Sequence, residues 1–128
     1  MEICMNLQES GEMYLETILV MSKQQINVRA VDIAEYMSFS KPSVSRALGI
    51  LKKENYIVVD AKGNIELTDA GRKYARKIYE RHIVFEKFLV ELGIDEKTAR
   101  EDACKMEHVI SDKSFNAIKK HLKEEGHI

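Results

Sequence analysis

The chain has 128 residues, of which 45% are hydrophobic and 32% charged, which is enough for one compact domain or two small lobes with a core. A net charge of −1 gives no overall attraction to nucleic acid, so only the distribution of charge can indicate such a partner. The chain has no apolar run near the ~20 residues of a membrane span, no basic segment typical of a secretory signal, and too few cysteines for a disulfide framework. These features predict a cytoplasmic protein with no membrane partner.

Helical patterns dominate the first part of the chain. Apolar residues at helical spacing predict a first helix that begins at Ser10, a candidate N-cap, and includes Met21. Residues 31–37 predict a short second helix. Ser40 and Pro42 are typical of a helix start, and the apolar residues that follow them at helical spacing predict a third helix.

The pattern then changes period. Two short β-type runs flank the Lys-Gly-Asn turn at residues 62–64, which predicts a hairpin. The order of three helices and a hairpin is that of a winged helix-turn-helix, in which the second of the paired helices enters the DNA major groove. Thr68 or Asp69 then begins a long helix that Gly93 closes.

The last part of the chain predicts a second, helical lobe. Asp95 begins a helix that continues through Ile110, and Ser111 or Asp112 begins the last helix. The predicted fold is therefore mainly α, with a winged helix-turn-helix DNA-binding domain at 1–74 and a helical metal-binding and dimerisation domain at 75–128. Some apolar side chains of this lobe form either its own core or a dimer interface: Phe85, Phe88, Leu89, Leu92, Ile110, Phe115 and Ile118.

The segment 41–53 carries four basic residues and no acidic one. At the start of a recognition helix, serine hydroxyls and backbone N–H groups bind phosphates, while Arg46 has the donors to read guanine edges. Lys62, at the hairpin tip, has the charge to meet a phosphate. The alternative is a solvated, mildly basic helix. The predicted DNA-binding residues are Ser40, Lys41, Pro42, Ser43, Ser45, Arg46, Lys53 and Lys62.

Three predicted helices each carry metal-ligand side chains at helical spacing. Cys104, Glu107 and His108 are spaced i, i+3, i+4, which places them on one face of a helix. The other two groups are Met13 with Glu16 and His82 with Glu86. Sulfur, imidazole and carboxylate together suit Fe(II), Co(II), Ni(II) or Zn(II) better than Mg(II) or Ca(II). Taken singly, each residue is equally well a core side chain or a solvated charge.

Five stretches that span nearly the whole chain carry a family resemblance. They are EMYLETI (12–18), DIAEYMSFSKPSVSRALGILKKENYI (32–57), LTDAGRKYA (67–75), ERHIVFEKFL (80–89) and EDACKMEHVISD (101–112). In these stretches the chain resembles the diphtheria toxin repressor family of metal-dependent transcriptional regulators, which has iron-responsive and manganese-responsive branches. It is similar to the short, two-domain members, because the sequence ends without the SH3-like third domain of the longer iron regulators.

The resemblance also implies site residues. It implies a regulatory site of the iron-branch type at Met13, Cys104, Glu107 and His108. It implies a second, neighbouring site at His82 and Glu86, for which the iron branch has another histidine where this chain has Arg100. Glu16 matches a ligand position of the manganese branch, which has carboxylates in place of the two sulfur ligands. The ligand set is therefore a hybrid of the two branches.

The function that the resemblance implies is a repressor of metal-ion homeostasis genes. A homodimer would bind a palindromic operator when Fe(II) is bound, with Mn(II), Co(II) and Zn(II) as alternative metals. A metal that joins the three helices would set the two recognition helices about one DNA turn apart, ~34 Å.

Two alternatives remain open at this stage. One is a winged-helix regulator that does not depend on metal. The other is a small metalloenzyme in which Glu107 acts as a general base. A Ser/His/Asp set, a Gly-rich phosphate loop and an H-E-x-x-H motif are all missing from the sequence, so we expect no enzyme.

Overall fold

A computed structural model describes residues 7–25 and 27–126, with side chains from Ser10 onward. The elements are α1 (Leu7–Gln24), α2 (Ala30–Met37), α3 (Lys41–Lys53), β1 (Ile57–Val59), β2 (Ile65–Leu67), α4 (Asp69–Glu91), α5 (Glu96–Met106) and α6 (Asp112–Glu124). The mainly helical fold with a winged helix-turn-helix at its N-terminal end is confirmed. None of the described helices has the length and apolarity that crossing a membrane requires.

The chain divides into two compact units, one that ends at Arg76 and one that begins at Lys77. The division falls inside α4, two residues from the predicted boundary between 74 and 75. The predicted domains 1–74 and 75–128 also include positions 1–6 and 127–128, which lie outside the described residues.

The first unit is built on a three-helix core closed by the hairpin. Strands β1 and β2 pair antiparallel, with Ile57 opposite Leu67 and Val59 opposite Ile65. Helix α1 packs against α3 and β2, while α3 also contacts α2 and β1. Apolar residues at helical or alternating spacing form the interior: Tyr14, Leu15, Ile18, Ile33, Val44, Leu48, Leu51, Ile57 and Ile65. Burial of one face of each element therefore holds α3 in place and leaves its other face in solvent.

Side-chain caps begin several helices where the sequence predicts them. The hydroxyl of Ser40 accepts a hydrogen bond from the backbone N–H of Ser43, and Pro42 lies in the first turn of α3. Thr68, rather than Asp69, caps α4, since its hydroxyl accepts from the N–H of Gly71 at 3.0 Å. Each cap satisfies an N–H group that has no partner within its helix.

The second unit contains the rest of α4 together with α5 and α6. Asp95 caps α5 and Ser111 caps α6, through hydrogen bonds of 3.0 and 3.1 Å to backbone N–H groups. The buried core consists of Val84, Phe85, Ala103, Phe115 and Leu122, with Phe88, Met106, Ile110 and Ile118 packed against it. The sequence assigned a set of apolar residues either to this core or to a dimer interface. Most of them thus pack in the core of this unit or against it.

Two predicted helix limits are wrong. Helix α1 begins at Leu7, so Ser10 lies inside it and does not cap it. Helix α5 ends at Met106 and does not continue through Ile110. Glu107 keeps helical dihedral angles at the C-cap, but His108 lies in the turn that follows. The turn after α5 is also held against the core, so the spacing of apolar and ligand side chains continues past the end of the helix. The sequence pattern alone therefore does not distinguish a longer helix from a helix followed by a packed turn.

Candidate metal centre and DNA-binding surface

The residues predicted to bind DNA are all exposed in the first unit. Ser40, Lys41, Pro42, Ser43, Ser45 and Arg46 occupy the start of α3, Lys53 its last turn, and Lys62 the hairpin turn. The hydroxyls of Ser40 and Ser43 are 2.9 Å apart, so capping already engages both of them. The first two turns of α3 therefore present short polar side chains and two cations, Lys41 and Arg46, to solvent, which is the chemistry that phosphate contacts require.

The hairpin tip is held in a defined conformation. The carboxylate of Asp60 accepts hydrogen bonds from the N–H groups of Lys62 and Asn64, at 2.8 and 2.9 Å. These hydrogen bonds, foremost the one from the backbone of Asn64, hold the pKa of Asp60 below its usual range. The guanidinium of Arg29, at the N-terminus of α2, also donates to the carbonyl of Lys62. Lys62 is thus presented on a turn whose backbone is fixed from two sides.

Three ligand side chains converge in the second unit. Nδ1 of His82 is 2.9 Å from Oε2 of Glu107 and 3.8 Å from Sγ of Cys104. The ligand atoms of these three residues all lie within 4.8 Å of one another. His82 comes from the middle of α4 and Cys104 from the last turn of α5, so packing of the two helices creates the cluster. One imidazole, one thiol and one carboxylate are a donor set that fits a borderline divalent metal such as Fe(II), Co(II) or Zn(II).

Glu107 is the most buried member of the cluster, with a side chain that is 1% exposed. Its second oxygen, Oε1, is 3.2 Å from Nε2 of His108. A buried carboxylate is costly unless positive charge and hydrogen bonds compensate it, and the two imidazoles flank it on both sides. Glu107 therefore offers a buried carboxylate beside two imidazole nitrogens, and a divalent cation can use all three groups as donors.

The environment of His82 favours its protonated form when no metal is bound. The hydrogen bond with Cys104 and then the one with Glu107 outweigh partial burial and raise the pKa of His82 to about 11. A metal that binds Nδ1 must displace this proton, since only the unprotonated nitrogen is a ligand.

Glu86 and Arg100 extend the cluster outward. Oε2 of Glu86 is 3.2 Å from Nε2 of His82, the nitrogen that does not face Cys104. Oε1 of Glu86 is 3.9 Å from Nε of Arg100. Glu86 therefore lies between an imidazole and a guanidinium.

The two remaining predicted ligands are on α1. Met13 and Glu16 are one helical turn apart and both are half-buried. Both belong to the first unit. They stay predicted ligands, on the basis of the resemblance.

Arg81 was not among the residues that the sequence singled out. Its buried guanidinium donates to the carbonyls of Glu107 at 3.3 Å and Ile110 at 2.8 Å, and it pairs with Asp112. It therefore fixes the turn that carries Glu107. The sequence feature that could have identified Arg81 as an inward residue is its spacing. Arg81 is three residues after Ile78 and four before Phe85, which both belong to the apolar face of α4.

Together these features define a class of protein. A winged helix-turn-helix with a basic recognition helix, followed in the chain by a helical unit with a His/Cys/Glu cluster, is typical of metal-responsive DNA-binding regulators.

The comparisons with known proteins identify the family. Residues 6–65 match the profile of the iron dependent repressor, N-terminal DNA binding domain, and residues 68–125 match that of the metal binding and dimerisation domain. The chain therefore belongs to the diphtheria toxin repressor family of metal-dependent transcriptional repressors.

Individual relatives agree with this membership. An uncharacterized HTH-type transcriptional regulator of Methanocaldococcus jannaschii is 34% identical over 115 residues, which are 88% of this chain and 92% of the relative. The diphtheria toxin repressor of Corynebacterium diphtheriae is 29% identical over 93% of this chain and 53% of its own length. A solved structure of a manganese-dependent transcriptional repressor in complex with manganese aligns with a TM-score of 0.81 and 29% identity, over 88% of this chain and 52% of the other. The chain thus spans about half the length of these last two proteins.

Proposed function

We propose that this protein represses genes of metal-ion homeostasis, and that it binds DNA when a divalent metal, Fe(II) in the first place, occupies the His82–Cys104–Glu107 cluster. The observation that carries the proposal is the burial of Glu107 between two imidazoles, with a thiol within 4.8 Å of both His82 and Glu107. Replacement of a buried ion pair by apolar residues is often neutral or stabilising, so stability alone does not account for a carboxylate in this position. The bound ion would take the place of the proton on His82 as the positive charge that compensates Glu107.

Each residue of the proposed site has a distinct role. Cys104 offers the soft donor that favours Fe(II) over Mg(II) or Ca(II), and Glu107 and His82 offer the hard and borderline donors. We further propose His108 as a ligand, because its Nε2 is only 3.2 Å from the carboxylate of Glu107. Met13 and Glu16 are proposed as additional ligands from the resemblance.

Mn(II) is the alternative metal. A structural relative is described as a manganese-dependent repressor, and Glu16 matches a ligand position of the manganese branch. The thiol of Cys104 argues for Fe(II), because Mn(II) prefers oxygen and nitrogen ligands. Family members are transcriptional repressors, so we propose that the metal is a regulatory ligand and that the protein is not an enzyme.

The proposed DNA contact uses α3 and the hairpin. We propose that Arg46 reads base edges and that Lys41 and Lys62 contact phosphates, and all three side chains are exposed. A homodimer would bring two copies of α3 to successive major grooves of a palindromic operator. Metal then favours DNA binding to the extent that it binds the DNA-competent conformation more tightly than the alternatives.

The first experiment measures DNA affinity with and without metal. Duplexes selected from a random pool by the Co(II)-loaded protein are titrated anaerobically with chelator-stripped protein, alone and with Fe(II), Mn(II), Co(II) or Zn(II). We expect a gain in affinity on adding metal and a ranking that identifies the preferred ion. Equal affinity in every condition would refute metal gating and leave an ungated winged-helix regulator.

Two matched variants locate the effect. Glu107→Gln removes the buried charge of the cluster, and we expect it to abolish the metal-dependent gain. Glu101→Gln neutralises an exposed carboxylate on α5, the helix that Glu107 caps, and should leave the gain intact. The same loss in both variants would mean that overall charge, and not the cluster, controls DNA binding.

A further inference from the structure

The two ring nitrogens of His82 face different groups. Nδ1 points to Cys104 and Glu107, at 3.8 and 2.9 Å. Nε2 points to Glu86, with Oε2 at 3.2 Å. The nitrogen that belongs to the ligand cluster is therefore Nδ1, and the nitrogen near Glu86 lies on the other side of the ring.

Because the two nitrogens face different groups, the position of the ring proton in the metal-bound form is determined. An imidazole that ligates a metal through one nitrogen carries its proton on the other. That N–H group commonly donates to a carboxylate, which fixes the tautomer and the ring orientation and makes the ligand more basic. Glu86 stands at hydrogen-bond distance from Nε2, where such a carboxylate is required.

The second oxygen of Glu86 is near a permanent cation. Oε1 lies 3.9 Å from Nε of Arg100, and arginine stays charged at any pH of interest. The Arg100 side chain is 61% exposed, so the pair adds little to folding stability. Its charge nevertheless lies 3.9 Å from a carboxylate oxygen that a divalent ion bound to Glu86 would share, and like charges at such short distances repel.

We propose that Glu86 is a positioning residue that accepts the Nε2–H hydrogen bond of His82, and that each chain binds one divalent ion, through Nδ1 of His82, with no second ion at Glu86. The inference rests on the proposed function, since it requires a metal at the cluster. It assigns Glu86 a role other than the second-site ligand that the family resemblance implies.

The test counts metal ions and follows their affinity in three proteins. Chelator-stripped full-length chain, Glu86→Gln and Glu86→Leu are loaded anaerobically with Co(II), and bound cobalt is counted by elemental analysis after gel filtration. Affinity comes from competition with a chelator of known strength. The sulfur-to-cobalt charge-transfer band reports whether a cysteine thiolate is still a ligand. Glu91→Gln, a change at an exposed carboxylate on the same helix, is the control.

The expected results separate a hydrogen-bond acceptor from a ligand. Wild type, Glu86→Gln and the control should each bind one Co(II). The affinity of Glu86→Gln should stay closer to that of wild type than that of Glu86→Leu does, because the amide oxygen of glutamine still accepts from Nε2–H. Glu86→Leu should also bind one Co(II) and keep the charge-transfer band, with affinity lower by about 10- to 100-fold, the usual loss for an outer-shell partner.

Two results would overturn the inference while leaving the proposed function in place. Two ions per wild-type chain, with one lost in Glu86→Gln, would make Glu86 a ligand. Unchanged Co(II) affinity in Glu86→Leu would show that Glu86 does not position His82. The absence of bound cobalt from wild type has a different meaning, since it would refute the metal site itself and the inference with it.

Discussion

Replacement of Arg81 by methionine tests how the turn that carries Glu107 is held. The guanidinium lies 5.4 Å above the ring of Phe115 and donates to the carbonyls of Glu107 and Ile110. It also pairs with Asp112. Methionine keeps most of the apolar volume but donates no hydrogen bond.

The magnitude follows from the contacts that are lost. Two carbonyl oxygens lose their donor, and each such loss costs about 1–3 kcal/mol when the acceptor is buried. Two effects act in the opposite direction. A charged group no longer has to be buried, and Nε of Arg81, which has no hydrogen-bond partner among the described residues, is removed. The Asp112 side chain is 63% exposed, so loss of that ion pair adds little. We therefore expect the free energy of unfolding to fall by about 2 kcal/mol.

Urea unfolding of the metal-free protein, followed by far-UV circular dichroism at one fixed protein concentration, measures this change. Lys77→Met is the matched control, because Lys77 pairs with the same Asp112 at 3.2 Å but is 57% exposed. That variant should change the free energy by less than about 0.5 kcal/mol. Equal effects of the two variants would show that the ion pair, and not the hydrogen bonds to the turn, is what Arg81 contributes.

Two further predictions concern the first unit. A Cβ added at Gly71 would lie 1.9 Å from the carbonyl oxygen of Tyr56, so Gly71→Ala should destabilise the protein by ~3 kcal/mol. A Cβ added at Gly49 has nothing within 4 Å, so Gly49→Ala should be neutral or should stabilise α3 by up to ~1 kcal/mol. Similar urea midpoints for the two variants would contradict this prediction. The lowered pKa of Asp60, caused first by its hydrogen bond from the backbone of Asn64, stabilises the hairpin above the ordinary carboxyl pKa, and this contribution is lost as the pH falls through the lowered value. The backbone amide resonance of Asn64 should therefore titrate below the usual range of an aspartate, and a normal midpoint would show that the hydrogen bonds are absent in solution.

The sequence by itself determined the local structure of this protein. Ser40, Thr68, Asp95 and Ser111 begin helices because a cap needs only a side chain and a backbone N–H two or three residues later. The hairpin follows in the same way from β-type runs around a turn with Gly63 at φ +86°. Local patterns also placed His82 and Glu86 on α4 and Cys104 on α5, and the family resemblance rests on these residues together with Glu107 and His108.

Only the tertiary structure decided how these groups meet. The end of α5 at Met106, the near-complete burial of Glu107 and the inward guanidinium of Arg81 depend on packing against elements distant in the chain. The same is true of His82, whose Nδ1 faces Glu107, 25 residues away, while its Nε2 faces Glu86, one turn along its own helix. Helical spacing predicts that His82 and Glu86 are neighbours, but not which nitrogen is left for a metal. Which nitrogen faces the cluster depends on the rotation of the imidazole, and this rotation is set by the surrounding core and by hydrogen bonds across helices.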